Sequence, residues 1–157
     1  SLKKKTHMET EKEKCRRGEW YDANNDATLL AERLRCKELC HEYNRLPPRC
    51  AEERTALLRR LLGRTGRQFL IGTFRIDYGY NIRLGEYFYA NHNLVILDCA
   101  AVTFGEHVFV APNCGFYTAG HPIDAECRER GLEYAYPITI GNNVWIGAGA
   151  SSFLVLQ

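Results

Sequence analysis

The sequence has no apolar run near the roughly 20 residues a membrane-spanning helix needs, and no basic leader followed by an apolar stretch. It therefore reads as a chain without a membrane span or signal peptide. It has little excess charge: 21 Lys and Arg against 19 Asp and Glu give a formal net charge of +2. That balance speaks against the strong field of a nucleic-acid or membrane-surface binder. No two of its seven cysteines stand in C-x-x-C spacing. A disulfide framework and a zinc site are disfavoured, so the thiols are expected reduced and the compartment cytoplasmic. No cluster of His, Cys, Asp and Glu has metal-ligand spacing, so no metal is expected. What remains is 157 residues, 45% hydrophobic and 25% charged. This is the profile of one globular unit with room for a small appendage.

What is present is a rhythm. From Leu84 to Ser151 the chain advances in steps of six, each led by an apolar residue: Leu84, Ala90, Ile96, then, after a shift of two, Phe104 and Val110, and later Ile140 and Ile146. A six-residue period of this kind predicts a parallel β-helix. Each leading side chain points inward, three steps make one triangular turn, and stacked turns bury a continuous core. Glycines at Gly72, Gly79, Gly85, Gly105, Gly141 and Gly147 suit corners, and Asn142-Asn143 is read as a corner rather than a hairpin. Residues 118–137 carry no rhythm and are expected to project as a loop.

Before Phe69 the pattern is helical. Ser1 to His7 is basic and polar and is set aside from the fold. Glu9 to Arg17 reads as a charged helix ended by Gly18. Asp26 is placed to cap a second helix, with Leu29, Leu30, Leu34 and Leu39 as a stripe leading to Tyr43. A third helix has Ala56, Leu57, Leu58, Leu61 and Leu62 as its apolar set and Gly63 as its stop. The organisation expected is a helical segment over 8–63, a coil over 69–151 and an atypical terminus over 152–157.

Particular segments go further. Glu11-Lys12-Glu13-Lys14, Tyr21-Asp22-Ala23-Asn24, Asp77-Tyr78-Gly79-Tyr80-Asn81-Ile82, Tyr89-Ala90-Asn91 and Ala111-Pro112-Asn113 are five of them. Thr118-Ala119-Gly120-His121-Pro122 and Gly141-Asn142-Asn143-Val144-Trp145-Ile146-Gly147 are the most specific. Together they resemble the maltose and galactoside O-acetyltransferases, hexapeptide-repeat acyltransferases, over nearly all of Met8 to Gly149. The resemblance implies a mainly β fold: a left-handed parallel β-helix with an N-terminal α-helical segment. It also implies a homotrimer and transfer of acetyl from acetyl-CoA to a sugar hydroxyl.

A hydroxyl attacks a thioester only as its proton leaves, and a neutral imidazole removes that proton near pH 7. The resemblance gives this role to His121. One imidazole nitrogen must be held so that the other is free. Glu133 is the candidate holder, although a backbone carbonyl would serve as well. Asn91 is expected at the cleft, donating to the oxyanion or a sugar hydroxyl; an asparagine there would also simply close a corner. Asp77 and Asp22 are candidates for gripping the acceptor, with Asp98 a weaker third, and each is also a plain turn residue. Trp145 and Ala148 match positions along the pantetheine arm of CoA, with Asn91 beside them. His92 and His107 read as outward corner residues.

After Gly149 the expected Ile-Gly coils do not follow, and Ser152 to Leu156 is read as breaking the rhythm. A chain whose coils stop there is expected to hold CoA weakly. The alternative to an enzyme is therefore an inactive β-helix fragment acting as a structural or subunit-interaction module.

Overall fold

The computed structural model describes residues 8–153. Ser1–His7, and residues 154–157 of the expected atypical terminus, lie outside the described residues. The chain opens with helix α1 (Glu11–Arg16), whose N-terminus closes as a capping box: Thr10 accepts from the Glu13 N–H, and the Glu13 carboxylate accepts from the Thr10 N–H. A two-residue strand β1 (Tyr21–Asp22) follows, then α2 (Ala27–Arg45) and α3 (Ala51–Leu61). The Asp26 carboxylate accepts from the Leu29 N–H at 2.9 Å, the cap expected of it.

The inner face of α2 differs from the expected stripe. Leu29, Cys36, Cys40 and Tyr43 are buried, while Leu30 and Leu34 face solvent. Positions 29, 36, 40 and 43 share one side of a 3.6-residue helix, and the leucines at 30 and 34 fall on the neighbouring side. Cysteine here serves as a small apolar core residue. Ala56 of α3 is likewise exposed. Gly63 does not act through a left-handed cap: a Cβ there would lie 2.1 Å from the Tyr80 carbonyl oxygen, so close backbone approach demands the glycine.

From Phe69 the chain visits three parallel sheets in turn. Face 1 holds β2 (Phe69–Ile71), β5 (Phe88–Ala90), β8 (Phe109–Val110) and β13 (Trp145–Ile146). Face 2 holds β3 (Phe74–Ile76), β6 (Leu94–Leu97), β9 (Gly115–Tyr117) and β14 (Ser151–Phe153), and face 3 holds β4 (Ile82–Leu84), β7 (Val102–Phe104) and β12 (Ile138–Ile140). Register stacks the leading residues of the six-step rhythm: Leu84 on Phe104 on Ile140, and Ala90 on Val110 on Ile146. Inside, Phe88, Phe104 and Phe116 form a column of rings with centroids 4.9 Å apart at each step. Fully burying one such side chain stabilises by about 1.5–3 kcal/mol.

Glycines set the distance between turns at one corner. A Cβ on Gly85 would lie 2.3 Å from the Gly105 oxygen, and one on Gly105 would lie 2.7 Å from the Gly141 carbonyl carbon. Asn142-Asn143 is a corner, since β12 and β13 belong to different faces. The rhythm does not break at Ser152. Ser151 pairs with Gly115 and Phe153 with Tyr117, because ladder pairing needs extended backbone rather than a particular side chain. At the opposite edge α2 covers face 2. The Asn44 carboxamide donates to the Phe74 oxygen (2.8 Å) and accepts from its N–H (3.1 Å), standing in for the missing next strand. No helix among the described residues is long and apolar enough to cross a membrane.

Candidate active site

The chain leaves the coil at Thr118. This side chain is fully buried; its hydroxyl donates to the Leu97 oxygen (2.5 Å) and accepts from the Ala100 N–H (3.0 Å). The projecting segment is structured, where the sequence led us to expect a loop. Strand β10 (Ala119–Gly120) runs antiparallel to β11 (Leu132–Ala135), with the short helix α4 (Ala125–Glu129) between them. The far edge of β11 pairs with β1, Tyr21 opposite Glu133 and Asp22 opposite Leu132. The N-terminal segment therefore braces the hairpin from residues more than a hundred positions away.

His121 directly follows β10, with its side chain 57% exposed, and Glu133 on the adjacent strand is 14% exposed. Glu133 Oε1 lies 4.0 Å from His121 Nε2, within ion-pair range but beyond a hydrogen bond. That same Oε1 accepts from the Asn24 amide at 3.2 Å, and Oε2 accepts from the Tyr21 hydroxyl at 3.5 Å. Asn24 also donates to the Gly131 oxygen at 3.1 Å. Asn24 and Tyr21 thus fix the carboxylate that faces the imidazole. Neither was assigned a role from sequence. The Asx turn that begins at Asp22 was the available local signal.

Asp22 holds that turn. Its Oδ1 accepts from the N–H groups of Asn24 (3.3 Å) and Asn25 (3.0 Å) and from the Asn25 amide (3.0 Å), and its Oδ2 takes a single bond of 3.2 Å. Asp77 sits at the corner where face 2 passes to face 3, the corner from which the hairpin also leaves. The Cys99 thiol donates to its Oδ2 at 3.7 Å. Burial pushes the Asp77 carboxyl up, opposed by Cys99 and by the charges of Arg33 and Lys37.

Asp98 lies between Asp77 and Thr118 at this corner and is fully buried. It cannot reach an acceptor, because its oxygens accept from three successive backbone N–H groups: Asp77 (3.0 Å), Tyr78 (2.8 Å) and Gly79 (2.7 Å). Burial pushes its carboxyl up to about 7, with the Asp77 charge adding and the three donors opposing. Of the two readings open for Asp98, the bonds fit the turn residue: it closes the corner.

The remaining candidates lie elsewhere on the coil. Asn91 follows β5 at the corner between faces 1 and 2; its Oδ1 accepts from the His92 N–H at 2.7 Å. Ala148 is exposed just beyond β13, at the same corner. Trp145 stands out from face 1, 78% exposed. Register aligns it with Phe109, Tyr89 and Leu70 in one outward row, all four exposed. The chain thus gathers His121, Glu133, Asp22 and Asp77 around one corner and leaves Asn91, Trp145 and Ala148 on another part of its surface.

Comparison with known proteins bears on what this arrangement serves. Residues 14–66, the stretch from α1 to the start of the coil, match the maltose acetyltransferase hexapeptide capping motif. A Saccharomyces cerevisiae protein, named as an acetyltransferase without a stated acceptor, is 56% identical over 135 residues, covering 85% of this chain and 69% of that protein. The crystal structure of a maltose O-acetyltransferase from Clostridium difficile 630 superposes with a TM-score of 0.88 at 45% identity, covering 91% of this chain and 76% of that one. The chain belongs to the maltose/galactoside O-acetyltransferase family. A further family member, a galactoside acetyltransferase solved in complex with coenzyme A, superposes with a TM-score of 0.85 at 36% identity, covering 92% of this chain and 72% of that one. The acyltransferase family expected from the sequence motifs is therefore the right one. The matched stretch includes α2, which covers the edge of face 2, and β1, which pairs with the hairpin.

Proposed function

We propose that this chain transfers acetyl from acetyl-CoA to a sugar hydroxyl. We further propose that it does so as a left-handed parallel β-helix assembled into a cytoplasmic homotrimer. The observation that carries the reading is an exposed imidazole, His121, beside a carboxylate, Glu133, that two other residues hold in place. Support for the donor comes from the family member bound to coenzyme A, and for the acceptor from relatives named for maltose and galactoside. Support for the hand of the coil comes from the same superpositions.

The chemistry follows from the placement. His121 takes the proton of the sugar hydroxyl as its oxygen attacks the thioester carbonyl. The Glu133 carboxylate faces the imidazolium that forms. The tetrahedral intermediate collapses, the carbon–sulfur bond breaks, and the departing thiolate recovers the proton from His121. Asn91 donates to the oxyanion or to a sugar hydroxyl. Asp77 accepts from the sugar, and Asp22 does so through Oδ2, the oxygen its turn occupies least. Trp145 offers apolar area to the pantetheine arm, and Ala148 lets that arm lie close to the backbone. The proposal needs no metal.

The separation of Asn91 from His121 favours a trimer. One corner of a copy completes the other corner of its neighbour, and the outward row Leu70–Tyr89–Phe109–Trp145 supplies apolar surface for such contacts. Purified protein should release CoA only when a sugar such as maltose or a galactoside is present. His121→Ala should lower kcat by about 100-fold or more with unchanged melting; full activity in that variant removes the role of His121. Mixing His121→Ala with Asn91→Ala subunits should restore part of the activity if sites are shared, and a monomer in sedimentation excludes sharing.

A second reading is an inert coil that serves subunit contacts. The outward row Leu70–Tyr89–Phe109–Trp145 favours it, since four exposed apolar side chains in register suit contact between copies. Calorimetric titration with CoA separates the two: saturable binding argues for the enzyme, and no heat argues for the module.

A further inference from the structure

A cleft of about 700 Å³ opens between α1, the start of face 3 and the exit of β11. None of the residues proposed for acetyl transfer lines it, and no carboxylate is among the residues that do. Four cations line it: Lys12, Arg16, Arg17 and Arg83. Two are already engaged. Lys12 bonds Glu32 at 2.7 Å and sits 4.3 Å over the Tyr80 ring, while Arg17 pairs with Glu9 and Glu19. The side chains of Arg16 and Arg83 make no hydrogen bond or ion pair among the described residues; both are exposed.

The rest of the wall suits a ring. Tyr136 is 43% exposed, and its ring packs against the backbone of Gly18, where an added Cβ would meet it at 2.8 Å. Ala100, Ala101 and Pro137 continue the apolar side. Two guanidinium forks without hydrogen-bond partners suit a phosphate, since each presents paired donors that match its oxygens; Arg16 also lies within the field of Glu32. The volume is that of a small-molecule site and far exceeds a lone inorganic ion.

We propose that this cleft binds a small phosphate ester, its phosphate between Arg16 and Arg83 and its ring against Tyr136. Tyr136 lies three residues past Glu133, and its N–H bonds Thr118 at the root of the hairpin (3.1 Å). An occupant would therefore touch the segment that carries His121 without entering its surroundings. The proposal stands whether or not the chain transfers acetyl groups.

The test is calorimetric titration of the full chain with glucose 6-phosphate, adenosine monophosphate, inorganic phosphate and uncharged glucose. At least one ester should bind saturably, about tenfold or more tighter than inorganic phosphate. The double change Arg16→Glu with Arg83→Glu should weaken that ester by about tenfold or more. Arg49→Glu, also at an exposed position but outside the cleft, should leave binding unchanged. Should the double variant unfold, the single changes Arg16→Gln and Arg83→Gln carry the same comparison. The proposal is overturned by no saturable binding of either ester at millimolar concentration, or by binding that persists in the Arg16 and Arg83 variants. Equal affinity for inorganic phosphate, or equal weakening by Arg49→Glu, overturns it too.

Discussion

The interior of the coil and the corner that bears the hairpin solve the same problem by different means. Inside the coil every layer repeats, and Phe88, Phe104 and Phe116 stack by shape alone. At the corner nothing repeats. A buried carboxylate gathers three N–H groups, a buried hydroxyl bonds two backbone groups, and a strand from the N-terminal segment completes a sheet. Repetition gives stability that is spread over many equivalent contacts. The corner instead concentrates its order in single polar groups, each of which has one specific partner set. His121 and Glu133 lie at the second kind of place.

Substitutions can break that contrast, in descending size. Phe104→Ala removes the middle ring of the column and should cost about 3–5 kcal/mol, read as a lower denaturation midpoint. Asp98→Asn turns an acceptor into a donor opposite backbone N–H groups and should cost about 1–3 kcal/mol. Its pH dependence adds a sign. A folded-state value raised to about 7 means that Asp98 stabilises below the unfolded carboxylate range and that this contribution is lost as pH rises through 7. The gap in melting temperature between parent and Asp98→Asn should therefore shrink from pH 5 to pH 8, and a gap that widens would contradict the burial argument.

Smaller effects test the hairpin alone. Glu133→Gln keeps the contact with Asn24 but removes the charge facing His121; it should lower kcat about tenfold and leave stability unchanged. Asn24→Ala frees one side of that carboxylate and should lower kcat only a few-fold, with a stability loss of about 1 kcal/mol. If Asn24→Ala and Glu133→Gln prove additive, the brace acts separately from the carboxylate; if they do not, Asn24 acts through Glu133.

The six-residue rhythm made the coil readable, because each leading residue from Leu84 to Ile146 obeys one rule that a short window displays. The Asp26 cap was readable for the same reason. The face of α2 was not, because leucines at 30 and 34 outweigh two cysteines in any hydrophobic count, and only the partner surface decides which side is covered. The hairpin was not readable either. Its pairing of Tyr21 with Glu133 and the bond from Asn24 to Glu133 join residues that share no local pattern. Motif likeness could name His121, Glu133, Asp22 and Asp77 as candidates. Only the folded chain shows that they share a corner, and that Asn91, Trp145 and Ala148 do not.

The pairing of β1 with β11 also sets an order in time. Tyr21 emerges 112 residues before the Glu133 it meets. At roughly 5–20 residues per second, a ribosome takes on the order of ten seconds to supply that partner. Through this interval the earliest strand has no neighbour, while the helices and first coils can already assemble. The hairpin that bears the imidazole therefore cannot gain its third strand until β11 has been made.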